Sequence, residues 1–193
     1  QAKLKKTMIS EMKPTAADYI YMGILHDTGC LSRAKMSTMQ AVTGLLKLGV
    51  EHSYVMQTMH NDTLESLRTR AGLLERAERL LDGKIACVCV SRAESEAEGI
   101  GYEDIHPISG ILRDCEDIEL GFTMYEEEEN RWRCSFRSDG KWINVNELLK
   151  KFGGGGHAAA AGVRKRTNNM EKFRQDILEE IIVMRKSIEK ERT

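Results

Sequence analysis

Residues 131–137 read Arg-Trp-Arg-Cys-Ser-Phe-Arg, in which apolar residues alternate with charged or polar ones. Successive side chains of a β-strand point to opposite faces, so this period of two predicts a strand with Trp132, Cys134 and Phe136 in a core. The other face then carries three arginines, whose guanidinium groups suit bidentate contacts with phosphate. The stretch therefore predicts both a strand of a sheet and a face that binds an anion.

Apolar patterns on either side of this strand predict the rest of a mixed α/β domain. Strands are expected at residues 85–90 and 118–125. Phe173, Ile177 and Ile181 recur at helical spacing, which predicts a closing amphipathic helix. The acidic run between the second and third strands is best explained as a hairpin tip.

The upstream part of the chain is expected to be mostly helical. Helices are predicted at about residues 16–28 and 39–48, each ending at a glycine. A long helix over residues 64–82 is expected to bridge two domains. This divides the chain into a helical segment at 1–63, the bridging helix, and a mixed-sheet domain at 83–193.

Residues 153–162 read Gly-Gly-Gly-Gly-His-Ala-Ala-Ala-Ala-Gly. A glycine run is expected where the backbone needs positive φ or where a ligand must reach bare N–H groups. Alanine is a strong helix former, so we expect a helix to begin here, with phosphate at its N-terminus and His157 at the rim. A flexible glycine hinge before a packing helix remains the alternative.

The net charge of −1 results from two opposed blocks. Residues 94–129 contain thirteen acidic residues against one arginine, and residues 131–166 contain nine basic residues against two acidic ones. Blocks of one sign are most often simply solvated. Here the positive block includes the glycine run, which favours an anionic ligand.

Composition indicates a cytoplasmic protein that does not interact with membranes. No apolar run approaches the roughly 18 residues of a membrane-spanning helix, and no leader pattern is present. The five cysteines are scattered, and Cys87 and Cys89 fall on one face of a predicted strand. We expect reduced thiols in a core and no zinc site.

Two separate motifs resemble one known family. Residues 137–141, Arg-Ser-Asp-Gly-Lys, residues 145–149, Val-Asn-Glu-Leu-Leu, and Phe152 with the glycine-histidine-alanine run look like the C-terminal signature of the DHH phosphoesterase superfamily. The closest resemblance is to the associated substrate-binding domain of bacterial oligoribonucleases that also dephosphorylate 3′-phosphoadenosine 5′-phosphate. Upstream, residues 23–29, Gly-Ile-Leu-His-Asp-Thr-Gly, are similar to the family's Gly-Ile-x-x-Asp-Thr-Gly element.

The resemblance implies a metal-dependent phosphoesterase that acts on short oligonucleotides or nucleotides. It implies that Asp27 is one ligand of a two-metal Mn²⁺ site, although spacing alone is equally compatible with a turn-capping aspartate. It also implies a substrate-binding site, whose members are Arg137, Ser138, Gly154, Gly155, Gly156 and His157.

The family's other metal-binding elements, a His-x-Asn-x-Asp-x-Asp run and an Asp-His-His triplet, do not occur in the chain. We therefore expect a fragment that is inactive alone, in which residues 1–63 are the end of a DHH catalytic domain and residues 83–193 are the DHH-associated domain. The alternatives are a non-catalytic nucleic-acid or nucleotide-binding module, and a phosphodiesterase for polyphosphate or cyclic dinucleotides. The sequence does not fix the oligomeric state, and a homodimer is one option.

Overall fold

The structure is a computed structural model that describes residues 14–59, 62–140 and 142–191. Lys141, which belongs to one of the two motifs, lies outside the described residues. The chain separates into two compact units, Gln1–Asp62 and Thr63–Thr193. Within the described ranges, no helix is both long and apolar enough to cross a membrane.

The described part of the first unit, residues 14–59 and 62, contains the helices α1 (Ala16–Thr28), α2 (Met36–Lys47) and α3 (His52–Met59). A capping box starts α1, since the Thr15 side chain accepts from the Asp18 N–H and the Asp18 carboxylate accepts from the Thr15 N–H at 2.7 Å. Gly29 ends α1 in the left-handed conformation, with φ of 59°, as its position predicted. The core of this unit is formed by Tyr21, Leu25, Val42, Leu45, Val50, Tyr54 and Val55.

The second unit begins with α4 (Leu64–Glu75), and the predicted helix over residues 64–82 is wrong in its C-terminal part. Glu78–Leu80 form strand β1, which pairs antiparallel with β2 (Ile85–Val90). Leu81, Asp82 and Gly83 all have positive φ, so the chain turns sharply there instead of continuing as a helix. Pairing with the edge of β2 outweighs the helical spacing of the leucines.

A mixed sheet forms the centre of the second unit, as predicted, and it has six strands, three more than the sequence indicated. Its other strands are β3 (Leu120–Glu128), β4 (Arg131–Ser138), β5 (Gly155–His157) and β6 (Ala160–Arg166). The order is β1-β2-β3-β4-β6-β5. Strands β2 and β3 are parallel, and the other neighbouring pairs in this order are antiparallel.

Helices pack on both faces of this sheet. The β2–β3 crossover supplies α5 (Arg92–Glu98), α6 (Tyr102–Ile105) and α7 (Ile108–Arg113), while α8 (Val145–Lys150) and α9 (Met170–Glu191) pack on the opposite face. Strand β4 alternates as predicted, with its apolar residues buried and its arginines half-buried. The α8–α9 side contains the larger core, which includes Phe122, Phe136, Leu148, Phe173 and Ile177.

The glycine-histidine-alanine run forms a β-hairpin, so the predicted helix over residues 158–161 is wrong. Strands β5 and β6 are joined by a two-residue turn at Ala158 and Ala159, and β6 also pairs with β4 along its length. Ala161 and Val163 are buried in the core. Strand pairing on both sides and this burial outweigh the helix propensity of alanine. A helix N-terminus for phosphate is therefore not present at this run.

Close packing explains two of the four glycines. A Cβ at Gly154 would lie 2.5 Å from the Gly162 carbonyl oxygen, and one at Gly156 would lie 2.4 Å from the Ala160 carbonyl oxygen. A Cβ at Gly155, in contrast, would meet only the Asn146 side-chain oxygen, at 3.8 Å. The run is an edge strand packed tightly on its neighbours rather than a hinge.

Candidate functional site

One rung of the sheet brings together two of the predicted site residues. Arg137 of β4 lies opposite Ala160 of β6, and Ala160 lies opposite His157 of β5. Residues directly opposite each other project to the same face, and two strand spacings separate Arg137 from His157 by about 10 Å. The small side chain of Ala160 between them leaves a shallow floor.

The surroundings of this rung are small and accessible. The next rung on the same face, two residues along each strand, consists of Ser135, Gly162 and Gly155, of which Gly155 is exposed. Arg137 is half-buried, and its Nη1 donates to the Phe136 carbonyl oxygen at 3.0 Å, which anchors one end of the guanidinium group. The sheet therefore presents a shallow surface between an arginine and a histidine.

Ser138 lies on the opposite face from Arg137 and is fully buried. Its hydroxyl donates to the Ile143 carbonyl oxygen at 2.7 Å and accepts from the Gly140 N–H at 3.1 Å. The loop that it shapes holds the β5–β6 turn, because the Ser138 N–H donates to Ala159 and the Val145 N–H donates to Ala158. In this structure Ser138 supports the site from behind instead of facing a ligand.

The N–H groups of the glycine run are already used inside the protein. Gly153 donates to the Lys150 carbonyl, Gly154 donates to the Leu149 carbonyl at 2.8 Å, and Gly156 donates to the side-chain oxygen of Asn146 at 3.1 Å. Because N–H directions alternate along an edge strand, those of Gly155 and His157 point towards β6. The expectation of bare N–H groups is not met, and the run contributes an open surface and the His157 ring.

Asp27 lies in the first unit, so it is not part of this rung. It is exposed in the last turn of α1, and Arg33 Nη2 donates to its backbone carbonyl oxygen at 3.1 Å. Among the described residues, no group of three or more His, Cys, Asp or Glu side chains could hold a metal ion. These residues do not by themselves fit a two-metal centre, and the role of Asp27 as a ligand stays a prediction.

An ion-pair network between the two charge blocks was missed at the sequence level. Glu127 accepts from Arg133 Nη1 at 3.3 Å and from Arg164 Nε at 3.1 Å. Burial raises the pKa of Glu127, but the hydrogen bonds from Arg164 and Arg133 outweigh it, so the pKa lies below its usual value. The positive block is thus partly neutralised by the acidic hairpin tip. Opposite charges that flank a predicted hairpin were the signal that could have indicated this pairing.

The mixed sheet and its glycine-edged hairpin define an α/β domain of one known type. The DHHA1 domain model matches residues 84–183, more than half of the chain, and the protein belongs to this family. The resemblance that the two motifs predicted is thereby confirmed, as is the α/β fold class.

The chain is also similar to two curated bacterial proteins. The chain is 24% identical over 176 residues to the bifunctional oligoribonuclease and PAP phosphatase NrnA of Mycoplasma pneumoniae, covering 90% of this chain and 53% of that protein. It is 25% identical over 154 residues to the NrnA of Bacillus subtilis, covering 79% and 48%. The chain thus spans about half the length of these curated relatives.

A solved structure shows the same fold. An exopolyphosphatase-related protein from Bacteroides fragilis superposes with a TM-score of 0.74 at 21% identity, covering 87% of this chain and 51% of that one.

Proposed function

We propose that this chain is part of a phosphoesterase that hydrolyses short oligonucleotides, with 3′-phosphoadenosine 5′-phosphate as a further substrate, and that its second unit binds the nucleotide. The observation that carries this proposal is the rung that joins Arg137, Ala160 and His157 on an accessible face of the sheet. Both curated relatives are named oligoribonuclease and PAP phosphatase, which supports a nucleotide as the ligand.

Each group on the rung has a distinct role in this proposal. The guanidinium group of Arg137 donates to two phosphate oxygens, while the ring of His157 donates to the same phosphate or to the next one. Ala160 and Gly162 present no side chain large enough to hold the backbone of the ligand away from the sheet. The phosphate contacts therefore orient the nucleotide. In this proposal, the distance between the phosphate-binding site and the catalytic site determines the length of the substrate.

The first unit has a separate role in the proposal. Asp27 would supply one carboxylate to a manganese centre, whose chemistry is to provide a metal-activated nucleophile for attack on phosphorus. A metal pair needs more ligands than one carboxylate, so the chain alone is expected to bind nucleotide without hydrolysing it.

A non-catalytic nucleotide-binding module is the second candidate. It is favoured by the finding that the described residues contain no group of three potential metal ligands. The two candidate functions predict different activities for the longer protein of which this chain would be a part. There, Asp27→Ala should abolish manganese-dependent hydrolysis while nucleotide binding persists if the enzyme proposal is correct.

Calorimetric titration of the chain with a 5′-phosphorylated dinucleotide tests the proposed binding site. Losing a charge-assisted hydrogen bond costs about 1.5–3 kcal/mol, so Arg137→Ala and His157→Ala should each weaken binding roughly ten- to a hundredfold. Gly155→Val should weaken it at least as much, because the side chain would cover the floor of the site. Arg92→Ala is the matched control, an exposed arginine on α5 that pairs with Glu96. Equal affinities in all of these folded variants would contradict the proposal.

A further inference from the structure

Two rungs of β4 and β6, separated by the Trp132–Lys165 rung that faces the other side of the sheet, place arginine opposite arginine. Arg133 lies opposite Arg164, and Arg131 lies opposite Arg166. All four residues share the face of the sheet that carries Arg137 and His157, because residues two apart along a strand point to the same side. We call these two pairs the arginine rungs.

Such an arrangement is unfavourable in the absence of an anion. Like charges directly opposite each other on neighbouring strands destabilise a sheet. The protein offsets the first rung with the single carboxylate of Glu127, which bridges Arg133 and Arg164, and Glu128 pairs with Arg131. Arg166 is exposed and pairs with no carboxylate among the residues that the structure describes. The four arginines of the two rungs therefore share two direct carboxylate partners.

The arginine rungs continue the line of the proposed site. Four residues along β4 separate Arg137 from Arg133, which is about 13 Å, and the second arginine rung lies about 20 Å away. A mononucleotide held at Arg137 does not reach these positions, whereas a longer nucleotide chain that follows the strands does. The bridging carboxylate of Glu127 marks where an anion fits between the two guanidinium groups.

Aromatic side chains border the first arginine rung. The Arg133 guanidinium lies 3.7 Å from the centre of the Tyr102 ring, and Tyr102 lies beside Tyr125 and His106 at ring separations of 6.2 and 5.2 Å. Aromatic rings next to basic groups suit single-stranded nucleic acid, whose bases stack while its phosphates pair with cations. Inorganic polyphosphate has no bases and gains nothing from these rings.

We propose that the arginine rungs bind the phosphates of a single-stranded oligonucleotide several nucleotides beyond the Arg137–His157 rung, with Glu127 as the intramolecular anion that it displaces. The inference deepens the proposed function and rests on it for the placement of the first nucleotide. In this inference, the arginine rungs bind oligonucleotides that are longer than a dinucleotide.

Fluorescence anisotropy with labelled oligoadenylates of two, four and eight nucleotides tests this proposal on the 193-residue chain. Wild-type affinity should rise with length. Each phosphate contact contributes a salt slope of about 0.7 for single strands, so Arg164→Ala and Arg166→Ala should each weaken eight-nucleotide binding about fivefold at 0.1 M salt and flatten the slope by that amount. Neither variant should change dinucleotide binding. Glu127→Gln should tighten binding of the eight-nucleotide probe.

The matched control is Arg79→Ala, because Arg79 has the same side-chain exposure as Arg164, 55%, also pairs with one carboxylate, and lies on β1 at the far edge of the sheet from β6. Affinity that does not depend on length, or eight-nucleotide binding unchanged in both rung variants, overturns the proposal. Stronger displacement of the probe by polyphosphate than by unlabelled oligoadenylate of equal phosphate content also overturns it.

Failure of the proposed function gives a different result. If Arg137→Ala leaves dinucleotide binding unchanged while the two rung variants weaken the eight-nucleotide probe, the arginine rungs bind nucleic acid and the Arg137–His157 site is wrong. If Arg137→Ala weakens dinucleotide binding while the two rung variants leave the eight-nucleotide probe unaffected, only the proposal for the arginine rungs is overturned.

Discussion

The side-chain oxygen of Asn146 accepts a hydrogen bond from the backbone N–H of Gly156 at 3.1 Å. This contact joins the N-terminal turn of α8 to the outer edge of β5, where the sheet would otherwise present an unpaired N–H group. An unpaired strand edge invites pairing with another chain. Asn146 therefore holds the hairpin in place. It also accepts from the Gly156 N–H, which the glycine-rich sequence predicted to be available to a ligand.

Replacement of Asn146 should loosen this edge. Asn146→Ala removes the acceptor, and because Gly156 is exposed, water can take its place, so we expect a loss of about 0.5–1.5 kcal/mol in the free energy of unfolding. Asn146→Asp keeps an acceptor and puts a negative charge in the first turn of α8, where it is favourable. Urea denaturation of both variants checks this prediction, and equal losses in the two would show that the hydrogen bond contributes nothing.

The glycines of the run should differ sharply in their tolerance of a methyl group. Gly154→Ala and Gly156→Ala place a Cβ within 2.5 Å of a backbone carbonyl oxygen, so each should cost about 1–3 kcal/mol. Gly155→Ala meets nothing closer than 3.8 Å and should stay within about 0.5 kcal/mol of the wild type. Thermal unfolding of the three variants measures the differences. A destabilised Gly155→Ala protein would contradict the packing described for β5.

Acid should weaken the Glu127 network in a defined direction. The folded-state pKa of Glu127 lies below the ordinary value of 4.5, so its contribution to stability is fully present above that pH and is lost as the pH falls through the folded pKa. Glu127→Gln removes this dependence. Wild type should therefore be more stable than the variant near neutrality, and the difference should shrink below about pH 4.5. Chemical denaturation across this pH range tests the sign, and a difference that grows towards acid pH would refute it.

The five thiols should react at two very different rates. Cys30 and Cys115 are exposed, whereas burial raises the pKa of Cys87 to about 11 and that of Cys89 to about 12, and it also raises the pKa of the buried Cys134. The thiolate is the reactive form, so alkylation at about pH 8 should label the two exposed residues first. Mass spectrometry of native and denatured protein reads out the labelled sites. Fast native labelling of Cys134 would show that the larger core is open.

The chain alone should not hydrolyse oligonucleotides. Incubation with Mn²⁺ and a trinucleotide, followed by chromatographic separation of the products, should show no turnover, because Asp27 is a single candidate ligand for a chemistry that needs several. Turnover that disappears in Asp27→Ala would demonstrate a complete metal site within these residues and would contradict the prediction.

Some of the candidate site could be predicted from sequence. The two motifs identified the family, and the residues named from them include Arg137 and His157, which the sheet brings onto one rung. The occupied N–H groups of the glycines, the buried hydroxyl of Ser138 and the Glu127 network could not be predicted. Each of these features depends on a contact with a residue that is distant in the sequence, and local sequence patterns do not indicate such contacts.

Periodicity alone determined which side chains of β4 and α9 are buried. The apolar residues at alternate positions of 131–137 share one face only in a β-strand. Phe173, Ile177 and Ile181, spaced four residues apart, share one face in a helix. Only the tertiary structure decided that residues 158–161 form a turn and the start of a strand, and residues 78–80 a strand, instead of helices. The intrinsic helix and strand propensities of these residues differ by less than about 1 kcal/mol per residue. The stabilisation gained by pairing with the edges of β4 and β2 exceeds that difference.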